Sequence, residues 1–327
     1  MANTPISTQT LASLFHLDGK KLQRQYRNHF SDFQEFKQKH KGKNYLVFPQ
    51  NLSEELSIDE TALSNGELYT IVTSKKAKGK KGALVAMVQG TMADKITDVL
   101  HQIPERMRRT VREVSVDMAA PLHAVIKRCF PHAHRVVDRF HVQQLAFDAV
   151  QEVRIALRWQ VLESENEAID RAKKESRSYH QEILSNGDTL KQLLARSRYL
   201  LFKHSRLWTA EQKERAELLF ERYPQLEKAF GIAIDLGDIY RKCTSKEQAF
   251  KQLALWYNKV EESGITTFRT VAKSIQLHYI DILNFFNNRT TNAAAESFNA
   301  KIKAFRTQFR GVKDKLFFLY RLTKLYA

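Results

Sequence analysis

Residues 56–63 read LSIDETAL. Apolar and β-branched residues surround two adjacent carboxylates, Asp59 and Glu60, and the run reads as a strand. The chain around it carries 53 Lys+Arg against 36 Asp+Glu, a formal net charge of +17. Acids inside an apolar strand of so basic a protein need a reason. The neighbouring elements supply a frame for one. SNGE (64–67) follows, and Asn-Gly is a strong hairpin signal. ELYTIVTS (67–74) is then a second strand, KKAKGKKG (75–82) a flexible basic turn, and GALVAMVQG (82–90) a third strand. In MADKITDVLHQI (92–103), Met92, Ile96, Val99, Leu100 and Ile103 share one face at helical spacing. VREVSVDM (111–118) is a fourth strand with Asp117 near its end. PLHAVIKRCF (121–130) is a short helix opened by Pro121. HRVVDRF (134–140) is a fifth strand that carries Asp138.

Three antiparallel strands, a helix, a strand, a helix and a strand follow the element order of an RNase H-like α/β core. The expected fold is a mixed five-stranded sheet with flanking helices, in which the first and fourth strands lie side by side. Asp59 and Asp117 then become neighbours. Two carboxylates in a buried site repel each other, and a divalent cation removes the conflict. Hard carboxylate oxygens suit Mg²⁺, or Mn²⁺ in its place. A third carboxylate from a helix beside the sheet would complete a site for two ions about 3.5–4 Å apart. Glu296 is the candidate: RTTNAAAESFNAKIKAFRTQF (289–309) reads as a final helix with Asn292 as its N-cap. Each acid taken alone is more often a cap or turn residue, and it is the set of three that favours metal.

From about residue 142 to 286 the chain is helix-like and charged, and its three tryptophans, Trp159, Trp208 and Trp256, all lie there. Core packing suits at least two of them, although an exposed aromatic could stack on an unpaired base. At the other end, residues 7–29 read as two short helices with a turn at HLDG (16–19), the length of a helix-turn-helix. Leu11, Leu14 and Phe15 are expected to pack under Leu22 and Tyr26. Lys20, Lys21, Arg24 and Arg27 would face DNA. On the final helix Lys301, Lys303, Arg306 and Arg310 are candidate phosphate contacts. Two cysteines, Cys129 and Cys243, are too few for a zinc site or a disulfide framework. There is no apolar run near the ~18 residues of a membrane span and no signal-peptide pattern. A cytoplasmic protein that associates with the nucleoid through DNA is expected, with no membrane partner.

The stretches LSIDET (56–61), VSVDMAAPLHAVIKRCFPHAHRVVDRFHVQQLAFDAVQEVR (114–154) and NAAAESFNAKIKAFRTQFRGVKD (292–314) resemble insertion-sequence transposases of the DDE superfamily. The likeness is greatest to the ISL3 group and its relatives in Bacteroidetes-type bacteria. The resemblance implies an RNase H-like core interrupted by a large all-helical insertion ahead of the helix that bears the glutamate. With it go expected segments: 1–44 (helix-turn-helix-like segment and basic linker), 45–145 (first part of the core), 146–286 (insertion) and 287–327 (helix completing the core). It implies Asp59, Asp117 and Glu296 as the catalytic, metal-holding triad, with Glu60 as an auxiliary neighbour. Asp138 and His141 match a family motif in DRFH, and Asp138 is a rival for the second acid. The implied activity is metal-dependent cleavage and strand transfer of double-stranded DNA at transposon ends and target. A homodimer or higher assembly on DNA is expected because two ends must be cut together. About fifty residues precede the core, with no cysteine-rich finger. Either the short helical segment recognises the ends or a separate end-binding protein does. A catalytically silent DNA-binding regulator and a structure-specific nuclease of the same fold are the other classes considered.

Overall fold

The computed structural model describes residues 4–63, 66–289, 293–308 and 315–327. These form two compact units, Met1–Asp138 with Arg289–Ala327, and Arg139–Asn288. The first unit begins with three helices, α1 (Thr8–Leu14), α2 (Gly19–Asn28) and α3 (Phe33–Lys39). Asp18 caps α2 by accepting from the N–H groups of Lys20 and Lys21 at 2.8 and 3.0 Å, which occupies two donors a helix start leaves over. Leu14 and Phe15 are two-thirds exposed, so they do not pack under α2 as expected; Ala12 and Tyr26 are buried instead.

Six strands make one sheet: β1 (Tyr45–Val47), β2 (Glu55–Ala62), β3 (Leu68–Ser74), β4 (Leu84–Gln89), β5 (Glu113–Val116) and β6 (His134–Val137). Their order is β1-β4-β3-β2-β5-β6. The sheet therefore has six strands rather than five. The added strand is a three-residue edge, Tyr45↔Val88 to Val47↔Ala86, too short for its periodicity to show in the sequence. β2 pairs antiparallel with β3 and parallel with β5, and β5 pairs parallel with β6. Leu63 N–H closes the β2–β3 hairpin on Glu67 O at 2.6 Å. Gly66 there has φ +71°, a conformation glycine adopts without cost, while Asn65 lies outside the described residues.

Alternation along β2 sends Leu56 and Ile58 to one face and Ser57 and Asp59 to the other. The first face packs on α4 (Ala93–Leu100) and α6 (Ala120–Cys129), which flank the short α5 (Glu105–Arg108).

Helices make up the second unit: α7 (Arg139–Lys174), α8 (Leu190–Arg196), α9 (Ala210–Arg222), α10 (Pro224–Lys242), α11 (Lys246–Ser263), α12 (Thr266–Leu277), α13 (Tyr279–Leu283) and α14 (Phe285–Asn288). Trp256 is buried and donates to Ile232 O at 2.9 Å. Trp208 stacks on Phe230 at 5.2 Å, and Trp159, on the outer half of α7, is exposed.

The chain returns to the first unit with α15 (Ala293–Thr307) and α16 (Lys315–Tyr326). Phe298, Ile302 and Phe305 of α15 and Phe317, Phe318 and Leu322 of α16 join Tyr69, Ile71 and Met87 of the sheet in its second core. Tyr26 and Phe33 belong to that same core, so the N-terminal helices are seated on this unit. Arg321, fully buried, donates to the carbonyls of Thr4 and Ile6. Tyr320 and Lys324 donate to Asp32 at 2.6 and 2.7 Å.

Candidate active site

The parallel register Ser57↔Ser115 fixes the geometry of the acids. Two residues further along, Asp59 and Asp117 come onto the same face of adjacent chains, and adjacent strands lie about 4.8 Å apart. Asp117 stands one residue past β5 and is tied locally. Its Oδ1 accepts the Ala119 N–H at 2.8 Å, and its carbonyl meets His123 Nε2 at 3.0 Å. Asp59 is held from two directions. Its Oδ1 accepts the Glu60 N–H at 2.8 Å, and its Oδ2 accepts from Asn299 Nδ2 of α15 at 2.5 Å.

Glu60 reports the crowding. Burial, then the charges of Asp117 and Asp59, push its carboxyl above the ordinary carboxylate range. Like charges in a partly dry site have this effect on one another. Glu296 lies half-buried in the first turn of α15. It is three residues ahead of Asn299 and so on the same side of the helix. The side chain of Asn299 bonds Asp59, so that side of α15 faces the acids.

Farther back on the same sheet face, Lys75 Nζ donates to Glu113 Oε1 at 2.8 Å and Ser115 Oγ at 2.5 Å. The Lys75 and Glu113 side chains are only 9% and 6% exposed. Lys75 thus leaves the basic turn and enters the core. Sequence reasoning missed this pair, since nothing in the spacing joins Lys75 to Glu113. It also missed Asn299, for which the signal was present: three positions after Glu296, it shares that residue's helix face.

Asp138 is buried one residue past β6, and its N–H donates to Val116 O at 3.0 Å. It ends the strand next to that of Asp117. His141 lies in the helical unit, half-buried, with the Phe140 ring edge-on at 5.9 Å. Among the basic candidates, Lys20, Lys21 and Arg24 are exposed on α2. Arg27 instead stacks over Phe33 at 4.8 Å and Phe317 at 5.3 Å. Lys301 and Lys303 are exposed, with Lys301 Nζ 3.4 Å from Gly79 O. Arg306 must be removed from the DNA-contacting set. It is 3% exposed and makes two hydrogen bonds, 3.1 and 3.0 Å, to Glu67, so no phosphate can reach it. Arg310 lies outside the described residues.

No helix among the described residues is long and apolar enough to cross a membrane. The sequence model of the ISL3-type DDE family, described as a transposase, matches residues 56–322. The chain is also similar to the transposase for insertion sequence element IS1001 of Bordetella parapertussis, at 22% identity over 271 residues. That match covers 82% of this chain and 60% of the relative, so the chain spans about three-fifths of the relative's length.

Proposed function

The chain belongs to the ISL3-type family of DDE transposases, and from that premise we propose that it cuts double-stranded DNA at the ends of an insertion sequence and joins those ends to a target. The family implies a divalent metal. The donor set suits one: hard carboxylate oxygens on neighbouring segments of the sheet, beside an acid, Glu60, that burial first and then the charges of Asp117 and Asp59 push above the ordinary carboxylate range. Asp59, Asp117 and Glu296 are the residues that would hold Mg²⁺ or Mn²⁺, as two ions. When bound, the metal supplies Lewis acidity to the attacking and leaving oxygens of an in-line displacement at phosphorus.

The protein's own part is placement. The N–H of Ala119 turns Asp117, and the N–H of Glu60 and the amide of Asn299 turn Asp59. α15 carries Glu296 in its first turn, and its packed residues Phe298, Ile302 and Phe305 hold that helix against the sheet. Strands β4-β3-β2-β5-β6 follow the order of an RNase H-like core, to which β1 adds an edge and Arg139–Asn288 a helical insertion. Lys20, Lys21 and Arg24 on α2, with Lys301 and Lys303 on α15, would hold DNA phosphates. Two chains, one at each end, suit a reaction that must cut both, and a separate end-binding protein would serve if α1 and α2 do not read the ends.

The adjacency of Asp59 and Asp117 carries this reading. Its test is excision of the surrounding mobile element in cells supplied with wild type or Asp117→Asn. Excision by wild type alone is expected. Equal excision by both would remove Asp117 from the site, and either Asp138 is then the second acid or the mechanism falls.

A further inference from the structure

We propose that Asn299 is the positioning residue for Asp59: its amide fixes the direction in which the first carboxylate turns and so sets the site's affinity for a divalent cation. The inference rests on the reading of Asp59, Asp117 and Glu296 as metal-holding carboxylates. Asn299 is 5% exposed, and its side chain reaches Asp59 Oδ2 at 2.5 Å. Charge decides which end of the amide faces the acid, because only Nδ2 can donate to a carboxylate. Hydrogen bonds to an ionised acceptor are about twice as strong as neutral ones. With Oδ1 held by the Glu60 N–H and Oδ2 by Asn299, the carboxylate plane is fixed from both sides.

A neutral donor is the right one for this task. A lysine or arginine in its place would pair with Asp59 and compete with the metal for it. The amide orients the carboxylate and leaves its charge intact. The other end of the amide points the same way. Asn299 Oδ1 is buried and accepts from no described residue, and a buried acceptor is normally satisfied by protein or by ordered water.

The test is Mn²⁺ titration of the full chain by calorimetry, with thermal melts alongside, for wild type, Asp59→Asn, Asn299→Leu and Asn299→Ala. Leu fills the volume of the amide and Ala vacates it, so two independent variants lack the donor. Supporting partners of metal ligands are worth roughly 10–100-fold in affinity. A loss of about tenfold or more is therefore expected in the Asn299 variants, with a smaller Mn²⁺-induced rise in melting temperature. Partial recovery is expected in Asn299→Ser, which keeps a donor. A folded Asn299 variant that binds Mn²⁺ as tightly as wild type, even with a lower melting temperature, would reduce Asn299 to a helix–strand staple and overturn the proposal. Mn²⁺ binding that survives Asp59→Asn sinks the metal reading itself, and this inference with it.

Discussion

Two glutamates of one hairpin have opposite fates. Glu67, just before β3, is almost fully buried, and burial alone would raise its carboxyl. The hydrogen bonds and charge of Arg306, and then Lys315 at 3.4 Å, prevail and hold it below the usual range. Glu60, on β2, is raised by burial, and the next two causes, Asp117 and Asp59, raise it further. The protein has cations in excess, so their supply is not what differs. The fold places arginine and lysine on the acid at one end of the hairpin and groups acids at the other. The first arrangement is a closed structural pair. Under the proposed function, the second would hold a cation from outside.

The most severe way to break this comparison is to remove the stored charge. Asp59→Asn, Asp117→Asn and Glu296→Gln should each lower DNA cleavage by on the order of a thousandfold, since several kcal/mol of metal-supplied stabilisation are lost. Melting temperatures should hold or rise. Full cleavage by any of the three would remove that residue from the site. At the other end, Arg306→Ala leaves Glu67 buried without its main partner, which costs about 3–5 kcal/mol in such pairs. Urea unfolding would measure it. Glu67 has a depressed pKa, so its pairing stabilises the fold above the ordinary glutamate value of 4.5 and is lost as pH falls through the folded-state value. The cost of Arg306→Ala should shrink in acid accordingly. A cost below 1 kcal/mol at neutral pH would mean that the pair is solvated.

The basic residues divide in the same way. Arg306 is structural, whereas Lys20 and Lys21 are exposed. Lys20→Ala with Lys21→Ala should leave stability alone and flatten the plot of log affinity for DNA against log salt by about 0.9 per lysine lost. An unchanged slope would remove α2 from the DNA-binding surface.

How much of this the sequence revealed depends on the range of each interaction. The neighbouring strands of Asp59 and Asp117 were legible because local periodicity marks each element and the element order is that of an RNase H-like core, in which those strands lie side by side. Helix α15 was legible from ESFNAKIK. The Glu67–Arg306 pair was not, because its partners are 239 positions apart and Arg306 sits on a helix whose other basic residues are exposed. Charge type alone cannot separate a buried arginine from a surface one. Lys75 was hidden for a related reason: five lysines in one short turn look alike until packing selects one. β1 was too short to announce itself.

The subtlest test concerns Glu60 itself. Its folded-state pKa is raised, so the folded chain holds that proton more tightly than the unfolded chain does. Ionised Glu60 therefore disfavours the fold at neutral pH, and the penalty disappears below the ordinary value of 4.5. In metal-free buffer at neutral pH, Glu60→Gln should melt slightly higher than wild type. The residue is only half-buried, so solvent screens part of the effect, and the gain should be far smaller than the loss in Arg306→Ala. Two conditions should erase it. Acid protonates wild-type Glu60 and makes the two chains alike. Mg²⁺ would neutralise the acids that repel Glu60 and relieve the strain that the substitution removes. A gain that vanishes in acid but persists undiminished in saturating Mg²⁺ would show that Glu60 feels burial alone. In that case the charges of Asp117 and Asp59 would not contribute to its shift.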